Sequence, residues 1–402
     1  MGQIIMDELI PVNIFEQKGE KWAFRQTDLN TYLSLAPTST CFVFMESEKL
    51  QGNDHRSAKL HSKLEAFYGM PSEIWTDVHW EANGYYGCRD SKLDRHDTWF
   101  RYLIKQLIKE PSSKDELNYT YTWFKMAFFT TWSQAGPKSI LCLDCPQEMT
   151  MSVRGSLDNA CPDHFLADPY SFHQIIIRGI VNVYDNSIWR IRDVVRHVEK
   201  HRAHVNKPEP DYDHLHELAR HVIHSTETLI VSTHQTEQIM LRQRTRMDRS
   251  NAPEEELRCM RQIGDNLMFY WGMIHAFKCR SESMQARHQN EISLTFNTVA
   301  QYQSQLAAVD AAAMRVIAVL SAAFLPATFV SAIFSMSFFN NGGGGGTQSP
   351  DTTLSDSGGG GGDGWSLSSK FWIYWAFAIP LTVIAMVLLC YSNKILRKLK
   401  LI

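Results

Sequence analysis

Two long uncharged stretches near the end of the chain constrain its fold more than any other feature. The 24 residues from Val316 to Phe339 and the 21 residues from Phe371 to Tyr391 contain no charged side chain. As an α-helix, each stretch is long enough to cross the hydrocarbon core of a bilayer, which is about 30 Å thick. The core helix of a water-soluble protein rarely stays uncharged over such a length. The sequence therefore predicts a large water-exposed domain followed by a two-helix hairpin in the membrane.

The charges that flank the two stretches predict their orientation. Arg315 precedes the first stretch, and four basic residues lie between positions 394 and 400, after the second. The segment between the stretches carries three aspartates and one lysine. Positive residues stay on the cytoplasmic side of a membrane, or on the matrix side in mitochondria. We therefore expect an integral protein with two spans whose termini both face the cytosol or the matrix; the sequence does not say which membrane holds it.

The first half of the chain has the patterns of a mixed α/β domain. Thr40–Met45 and Ser139–Leu143 are short apolar runs typical of buried strands, and the aromatic-rich Thr120–Thr131 is also predicted to be a strand. Thr98–Glu110 has apolar residues at helical spacing and a proline behind it, so it is predicted to be a helix. Gln174–His204 has the same helical spacing. The net charge of −3 gives no reason to expect a nucleic-acid partner.

The second half has the patterns of long helices. Tyr212–Met247 contains no proline and no glycine, and Pro253 is placed to open a second helix over Glu254–Cys279. Ser281–Ser283 is predicted to cap a third helix that continues without a break through residues 283–338. The chain is thus divided into a cytosolic α/β domain (1–210), a long-helix and stalk region (211–312), a first transmembrane helix (313–339), a Gly-rich outer loop (340–370), a second transmembrane helix (371–391) and a basic tail (392–402).

One side of the first predicted span carries a polar stripe. Three of its hydroxyl residues, Ser321, Thr328 and Ser335, are seven positions apart. A polar stripe belongs inside a helix bundle, and a two-span monomer has no interior, so the stripe predicts an oligomer whose first spans surround a central axis. In the alternative interpretation the hydroxyls bond their own helix and the stripe is accidental. The stripe comprises Asp310, Met314, Ile317, Ser321, Leu325, Thr328, Ala332 and Ser335.

The layout resembles the CorA-type magnesium transporters. The resemblance is carried by Pro-Ala-Thr-Phe at Pro326–Phe329 and by the basic ending Lys394–Lys400, while His79–Tyr85 is similar to a divergent fungal CorA-like branch. It implies a homopentamer in the lipid bilayer, without enzymatic activity or a cofactor. It also implies that a divalent cation, Mg²⁺ or a related ion, is both the transported ion and a gating ligand. The pore positions that it implies are Met314, Ile317, Ser321, Leu325, Thr328, Ala332 and Ser337.

The sequence departs from that family at the outer end of the first span. The family's Gly-Met-Asn signature is here Ser335, Met336 and Ser337, which we expect to form the outer constriction. A ring of serine hydroxyls is smaller than a ring of asparagines, so a non-conducting relative that acts as a sensor or scaffold is the alternative function. At the inner end, Asp310 is expected to contribute a ring of carboxylates, or else to be a surface charge bonded to a neighbour such as Arg315.

Three further clusters have weaker interpretations. Cys142 and Cys145 are followed by Pro146, which fits neither a zinc motif nor a redox motif, so they are interpreted as bystanders. The arginines from Arg242 to Arg249 are interpreted as a solvated turn. No Ser-His-Asp set, phosphate-binding loop or dinucleotide fingerprint indicates an enzyme. Two sets at helical spacing are candidates for a transition-metal sensor, with a solvated helix face as the alternative: His197, His201 and His204, and Glu217, His221 and His224.

Overall fold

The structure is a computed structural model that describes residues 10–35, 39–50, 55–91, 95–109, 119–136, 138–158, 168–202, 208–335 and 371–399. It divides into two compact units, residues 1–297 and 298–402. The strands are β1 Pro11–Lys18, β2 Lys21–Asp28, β3 Cys41–Met45, β4 Gly84–Asp90, β5 Arg95–Lys109, β6 Tyr119–Ser133 and β7 Lys138–Leu143. The helices are α1 Leu29–Ser34, α2 His55–Tyr68, α3 Asp77–Trp80, α4 Gln147–Leu157, α5 Ser171–Lys200, α6 Tyr212–Asp248, α7 Glu254–Phe334 and α8 Phe371–Leu399.

The first unit is built on a seven-stranded sheet in the order β2-β1-β3-β7-β6-β5-β4. Every neighbouring pair is antiparallel except β3 and β7, which run parallel with Cys41 opposite Ser139. The three predicted strands are confirmed as β3, β6 and β7. The mixed α/β domain followed by long helices and a C-terminal apolar helix is likewise confirmed.

Both faces of the sheet are covered, because successive side chains of a strand point to opposite faces. Phe42 and Phe44 of β3 belong to the core beneath α4, α5 and α6, whereas Cys41, Val43 and Met45 belong to the core beneath α1 and α2. All five residues are buried. A central strand that is buried on both faces is apolar throughout, which is why its sequence shows no alternation.

The long helix α6 lies against β4 at Gly84. A Cβ atom built on this glycine would be 2.4 Å from Gln235 Oε1 and 3.0 Å from the backbone oxygen of Arg101. Tyr102 of β5 and Thr236 of α6 are joined by a hydrogen bond of 2.8 Å between their hydroxyls. The absence of a side chain at Gly84 therefore allows the close approach of α6 to the sheet.

The prediction of a helix over Thr98–Glu110 is wrong, because residues 98–109 lie in strand β5, Arg95–Lys109. Trp99, Leu103 and Leu107 are four residues apart, a spacing that a helix face and a strand face share. In a strand exposed on one side, polar residues in the alternate positions would have revealed the period of two. Here Phe100 and Tyr102 fill those positions, since the second face is also a core.

The prediction of a helix start at Ser281–Ser283 is also wrong, because α7 runs unbroken from Glu254 to Phe334. Ser281 is fully buried, and its hydroxyl is hydrogen-bonded to the hydroxyl of Thr226 in α6 at 2.8 Å. The serine therefore links two helices and does not cap one. The predicted helices Tyr212–Met247 and Gln174–His204 are confirmed as α6 and α5, although His204 lies outside the described residues.

The described part of the second unit consists of the end of α7 and α8. Each helix contains one internal proline, Pro326 in α7 and Pro380 in α8. Both helices are long and apolar enough to cross a membrane, and only 11% and 6% of their apolar windows are buried. A core helix of a protein in water is mostly buried, so these two helices do not have the environment of a core.

Candidate ion pathway

The predicted stripe is exposed along its whole described length in the single chain. Asp310, Ser321 and Thr328 are exposed, and Met314 and Leu325 each keep 65% of their surface accessible. Large apolar side chains and hydroxyls thus share one uncovered surface, which lipid or other copies of the chain would have to cover. Met336 and Ser337, and with them most of the predicted outer constriction, lie outside the described residues.

The side of α7 opposite the stripe is the side turned toward α8. Val330 in α7 and Ala378 in α8 are buried, and the Tyr374 hydroxyl donates to the backbone oxygen of Ala327 at 3.3 Å. Residues two apart on an α-helix point about 200° away from each other. Thr328, two residues before Val330, therefore points away from α8. Helix α8 therefore does not cover the stripe.

Two of the three stripe hydroxyls, those of Thr328 and Ser335, are bonded to their own helix, as the alternative interpretation expected. Thr328 Oγ1 donates to the backbone oxygens of Phe324 at 3.1 Å and Leu325 at 2.9 Å, and Ser335 Oγ donates to that of Ala332 at 2.8 Å. A hydroxyl has one proton and two lone pairs. Because the proton is committed to the backbone, each oxygen presents only acceptor lone pairs outward. These are suited to the water protons that surround a hydrated cation.

Comparison with known proteins identifies the family. The family described as CorA-like Mg²⁺ transporter protein matches residues 146–390. The chain belongs to this CorA-like family. A curated relative, the notoamide biosynthesis cluster protein M' of Aspergillus versicolor, is 32% identical over 407 residues, which cover 93% of this chain and 83% of the relative.

Solved structures similar to this CorA-like chain were also found. The full-length CmaX protein has a TM-score of 0.44 at 14% identity, with 96% of this chain and 98% of that chain covered. The cytoplasmic domain of ZntB from Vibrio parahaemolyticus has a TM-score of 0.39 at 10% identity, with 71% and 98% covered. Membership of the CorA-like family suggests divalent cation transport and is typical of proteins without enzymatic activity. The two long apolar helices are consistent with a CorA-like membrane protein.

The first histidine set of this CorA-like chain lies at the end of α5. The rings of His197 and His201 stack with their centroids 4.0 Å apart, and His201 Nδ1 lies 3.0 Å from the backbone oxygen of His197. The third member, His204, lies outside the described residues. The backbone bond occupies only Nδ1 of His201, and the described residues show two stacked rings without a third ligand beside them, so this set is no preformed ligand cluster there.

The second set faces the sheet. His221 is buried, its Nε2 is 3.9 Å from Glu217 Oε1, and burial, together with the nearby Lys105, lowers the pKa of His221 to about 4. His224 Nδ1 lies 3.1 Å from Lys105 Nζ. Lys105, which no pattern in the sequence singles out, comes from strand β5 and repels a cation from this place. Among the residues that the structure describes, no three His, Cys, Asp or Glu side chains are arranged to hold a metal ion. The sensor stays a prediction.

Cys142 lies in strand β7, and Cys145 lies between that strand and helix α4. Both thiols are free, Cys142 is fully buried, and burial raises its pKa. A thiol with a raised pKa forms little of the thiolate that attacks disulfides or binds metals. The pair does precede a helix, in contrast to the interpretation from sequence, but the environment of Cys142 suits packing and not redox chemistry.

Proposed function

We propose that this chain is the subunit of a homo-oligomeric channel, a pentamer, that conducts Mg²⁺ or a related divalent cation down its electrochemical gradient. The path is lined by the stripe of α7, with Asp310 at the inner mouth and Ser335 to Ser337 at the outer constriction. Family membership supports the ion class. The observation that carries the proposal is that α8 covers the side of α7 opposite Thr328 and leaves the stripe open.

The orientation belongs to the same proposal. Helix α8 extends to Leu399 and so includes three of the four basic residues that follow the second span. Basic residues at the end of a span favour the cytosolic or matrix side. Both termini then face inward, and the Gly-rich loop faces outward.

A matched pair of threonines allows a test of the path. Thr328 in α7 and Thr382 in α8 both donate to the backbone oxygen four residues earlier, Thr382 to that of Ala378 at 2.8 Å, but only Thr328 lies on the stripe. Valine has the shape of threonine without the oxygen. In liposomes that contain the purified protein, we expect Thr328→Val to lower Mg²⁺ uptake about tenfold, because a ring of acceptors becomes apolar. We expect Thr382→Val to leave uptake unchanged.

The same liposomes decide between the two candidate functions. The replacement of the Gly-Met-Asn signature by Ser335, Met336 and Ser337 is the observation that favours a non-conducting sensor or scaffold. Uptake of Mg²⁺, Zn²⁺, Co²⁺ and Ni²⁺ would be measured beside the oligomeric mass in detergent. A pentamer without flux for any of these ions would contradict the channel and support the sensor or scaffold. Equal loss of flux in both valine variants would remove the stripe from the path.

A further inference from the structure

A cleft of about 450 Å³ lies where α6 ends and α7 begins, within the first unit. Its walls come from the sheet as well as from the helices: Asp90 ends β4, His96 lies in β5, and Trp132 lies in β6. The end of α6 and the residue after it contribute Arg242, Arg246 and Arg249, whose sequence alone predicts a solvated turn. No residue of the proposed ion path lies in this cleft.

The three arginines are directed to one side of the chain. Arg242 and Arg246 are four residues apart and so share a face of α6, and Arg249 follows the helix end. The guanidinium of Arg246 lies 5.1 Å from the centre of the Trp132 ring. Arg244, between them in sequence, lines a different cleft with Gly264 and Asp265. Attraction of cations to a helix C-terminus explains basic residues here, but it does not explain their gathering around a cavity.

The carboxylates of the cleft neutralise only part of this positive charge. Asp90 is held by His96, with its Oδ1 2.6 Å from Nδ1, and this bond, with Arg246 and Arg242 nearby, lowers the pKa of Asp90. Arg246 Nη1 lies 4.0 Å from the same Asp90 oxygen. Within the described parts of the chain, neither Arg242 nor Arg249 has a carboxylate oxygen within 4.0 Å. Glu256, the other acidic residue on the wall, is not within this distance of either arginine. Among the described residues, the guanidinium groups of Arg242 and Arg249 therefore have no ionic partner.

The back of the cleft adds an unsatisfied polar atom. His96 is 3% exposed, and its Nε2 has no hydrogen-bond partner among the described residues. Behind it, the carboxylate of Asp168 is fully buried and accepts hydrogen bonds from the Tyr170 backbone N–H at 3.0 Å and from Gln243 Nε2 at 2.8 Å. Asp168 is thus occupied within the fold. Because Nδ1 of His96 donates to the Asp90 carboxylate, Nε2 is the acceptor of the neutral ring, and a hydroxyl or N–H of a ligand would satisfy it.

We propose that this cleft binds a phosphorylated small molecule through Arg242, Arg246 and Arg249. The volume lies within the range of small-molecule sites. Planar guanidinium groups match phosphate oxygens in pairs, and several of them together favour an anion with two or more negative charges over a single carboxylate. The Trp132 ring beside Arg246 holds that guanidinium in place. This binding site belongs to the first unit and takes no part in ion conduction.

The test is calorimetric titration of the full-length protein in detergent, without divalent cations and at constant ionic strength. The probes are pyrophosphate, which offers phosphate groups alone, ATP, which adds a ring system, and citrate, a polyanion without phosphorus. We expect saturable binding of pyrophosphate or ATP and at least about tenfold weaker binding of citrate, whose carboxylates each carry less charge than a phosphate group. Arg242→Gln and Arg246→Gln should each weaken binding about tenfold or more, because each removes a charged hydrogen-bonding group. Arg244→Gln, on the same helix but outside the cleft, should bind as the natural protein does.

Each outcome bears on the proposal. Tight binding of ATP with weak binding of pyrophosphate assigns the cleft to nucleotides, and equal binding of the two assigns it to the phosphate groups. Citrate binding equal to that of pyrophosphate overturns the phosphate assignment. Equal weakening by Arg244→Gln, or no binding of either phosphate probe, overturns the site. Melting temperatures of the variants show that they are folded, and the largely exposed Arg242 serves if replacement of Arg246 disturbs the packing on Trp132.

Discussion

The two units place the same residue types in opposite positions. Phe100 and Phe128 of the first unit are fully buried and stack at 5.1 Å, whereas Phe324 and Phe377 of the second unit are 66% and 61% exposed. In water an apolar ring is stabilised by burial inside the protein. In a membrane the surroundings are themselves apolar, so a ring directed outward loses nothing. The difference shows that an exposed apolar side chain is not by itself a sign of poor packing. Whether its exposure is unfavourable depends on whether water or lipid surrounds it.

Hydroxyl groups differ between the units in the same way. In the first unit they link separate elements, such as Tyr184 with Ser232 and Tyr102 with Thr236. In the second unit Thr328 and Thr382 donate to the backbone of their own helix. A lipid surface offers no water to satisfy a polar group, so the backbone oxygen of the preceding turn is the nearest acceptor. In the first unit, then, several buried hydroxyls link separate elements, whereas in the second unit these two threonines are satisfied within their own helix and Tyr374 joins α8 to α7.

The largest expected change in stability comes from replacing a buried phenylalanine of the first unit, and the same replacement of an exposed phenylalanine in the second unit is its control. Phe128→Ala should lower the free energy of unfolding by about 3–5 kcal/mol, because it leaves a cavity beside Phe100. Phe324→Ala should change it by less than about 0.5 kcal/mol, because the ring is exposed. Unfolding in detergent, followed by tryptophan fluorescence, measures both. An equal loss in the two variants would show that other copies of the chain bury Phe324 and would end the comparison in its present form.

A smaller effect, of opposite sign, is expected at Arg101 in β5. This side chain is 1% exposed, and all three of its guanidinium nitrogens are buried without a hydrogen-bond partner among the described residues. Its ring neighbour is Trp80, 5.6 Å away. An unpaired buried charge costs more than it contributes, so Arg101→Met should raise the free energy of unfolding by about 2 kcal/mol. A decrease in stability would mean that the charge has a favourable role in the first unit.

The smallest effect is on the response to acid. Burial, with His96 nearby, lowers the pKa of His173 from 6.5 to about 3. Between these values the unfolded chain binds a proton that the folded chain does not, so stability falls as the pH falls below 6.5. From pH 7.5 to 5.5 the loss is about 1.4 kcal/mol from this residue. His173→Phe, which retains the ring stacked on Phe100, should reduce the pH dependence by that amount. An unchanged pH dependence in this variant would contradict the lowered pKa.

Features that depend on neighbouring residues could be predicted from the sequence, and features that depend on contacts between distant residues could not. The two apolar helices are continuous in sequence, so their length and missing charges identified them directly. Strand β5 was predicted as a helix, because its burial on both faces erased the period of two. Ser281 has the residue type of a cap, and only its contact with Thr226, 55 positions away, gives it another role.

The sites show the same limit. The stripe could be found from sequence because all its members lie on one helix at a regular spacing. The arginine cleft could not, because His96 and Trp132 reach it from strands more than a hundred residues before Arg242 and Arg246. Sequence shows which side chains share a helix face; it does not show which strand that face meets.

The parallel pairing of β3 with β7 affects how the chain folds while it is being synthesised. Strand β3 pairs with β7, and Cys41 lies 98 positions before Ser139. A ribosome that adds about 5–20 residues per second needs about 5–20 s to make the intervening chain. During that time β3, apolar on both faces, has one unpaired edge on which other nascent chains can add as strands. How much of the chain folds correctly therefore depends partly on what shields this five-residue strand until its late partner is made.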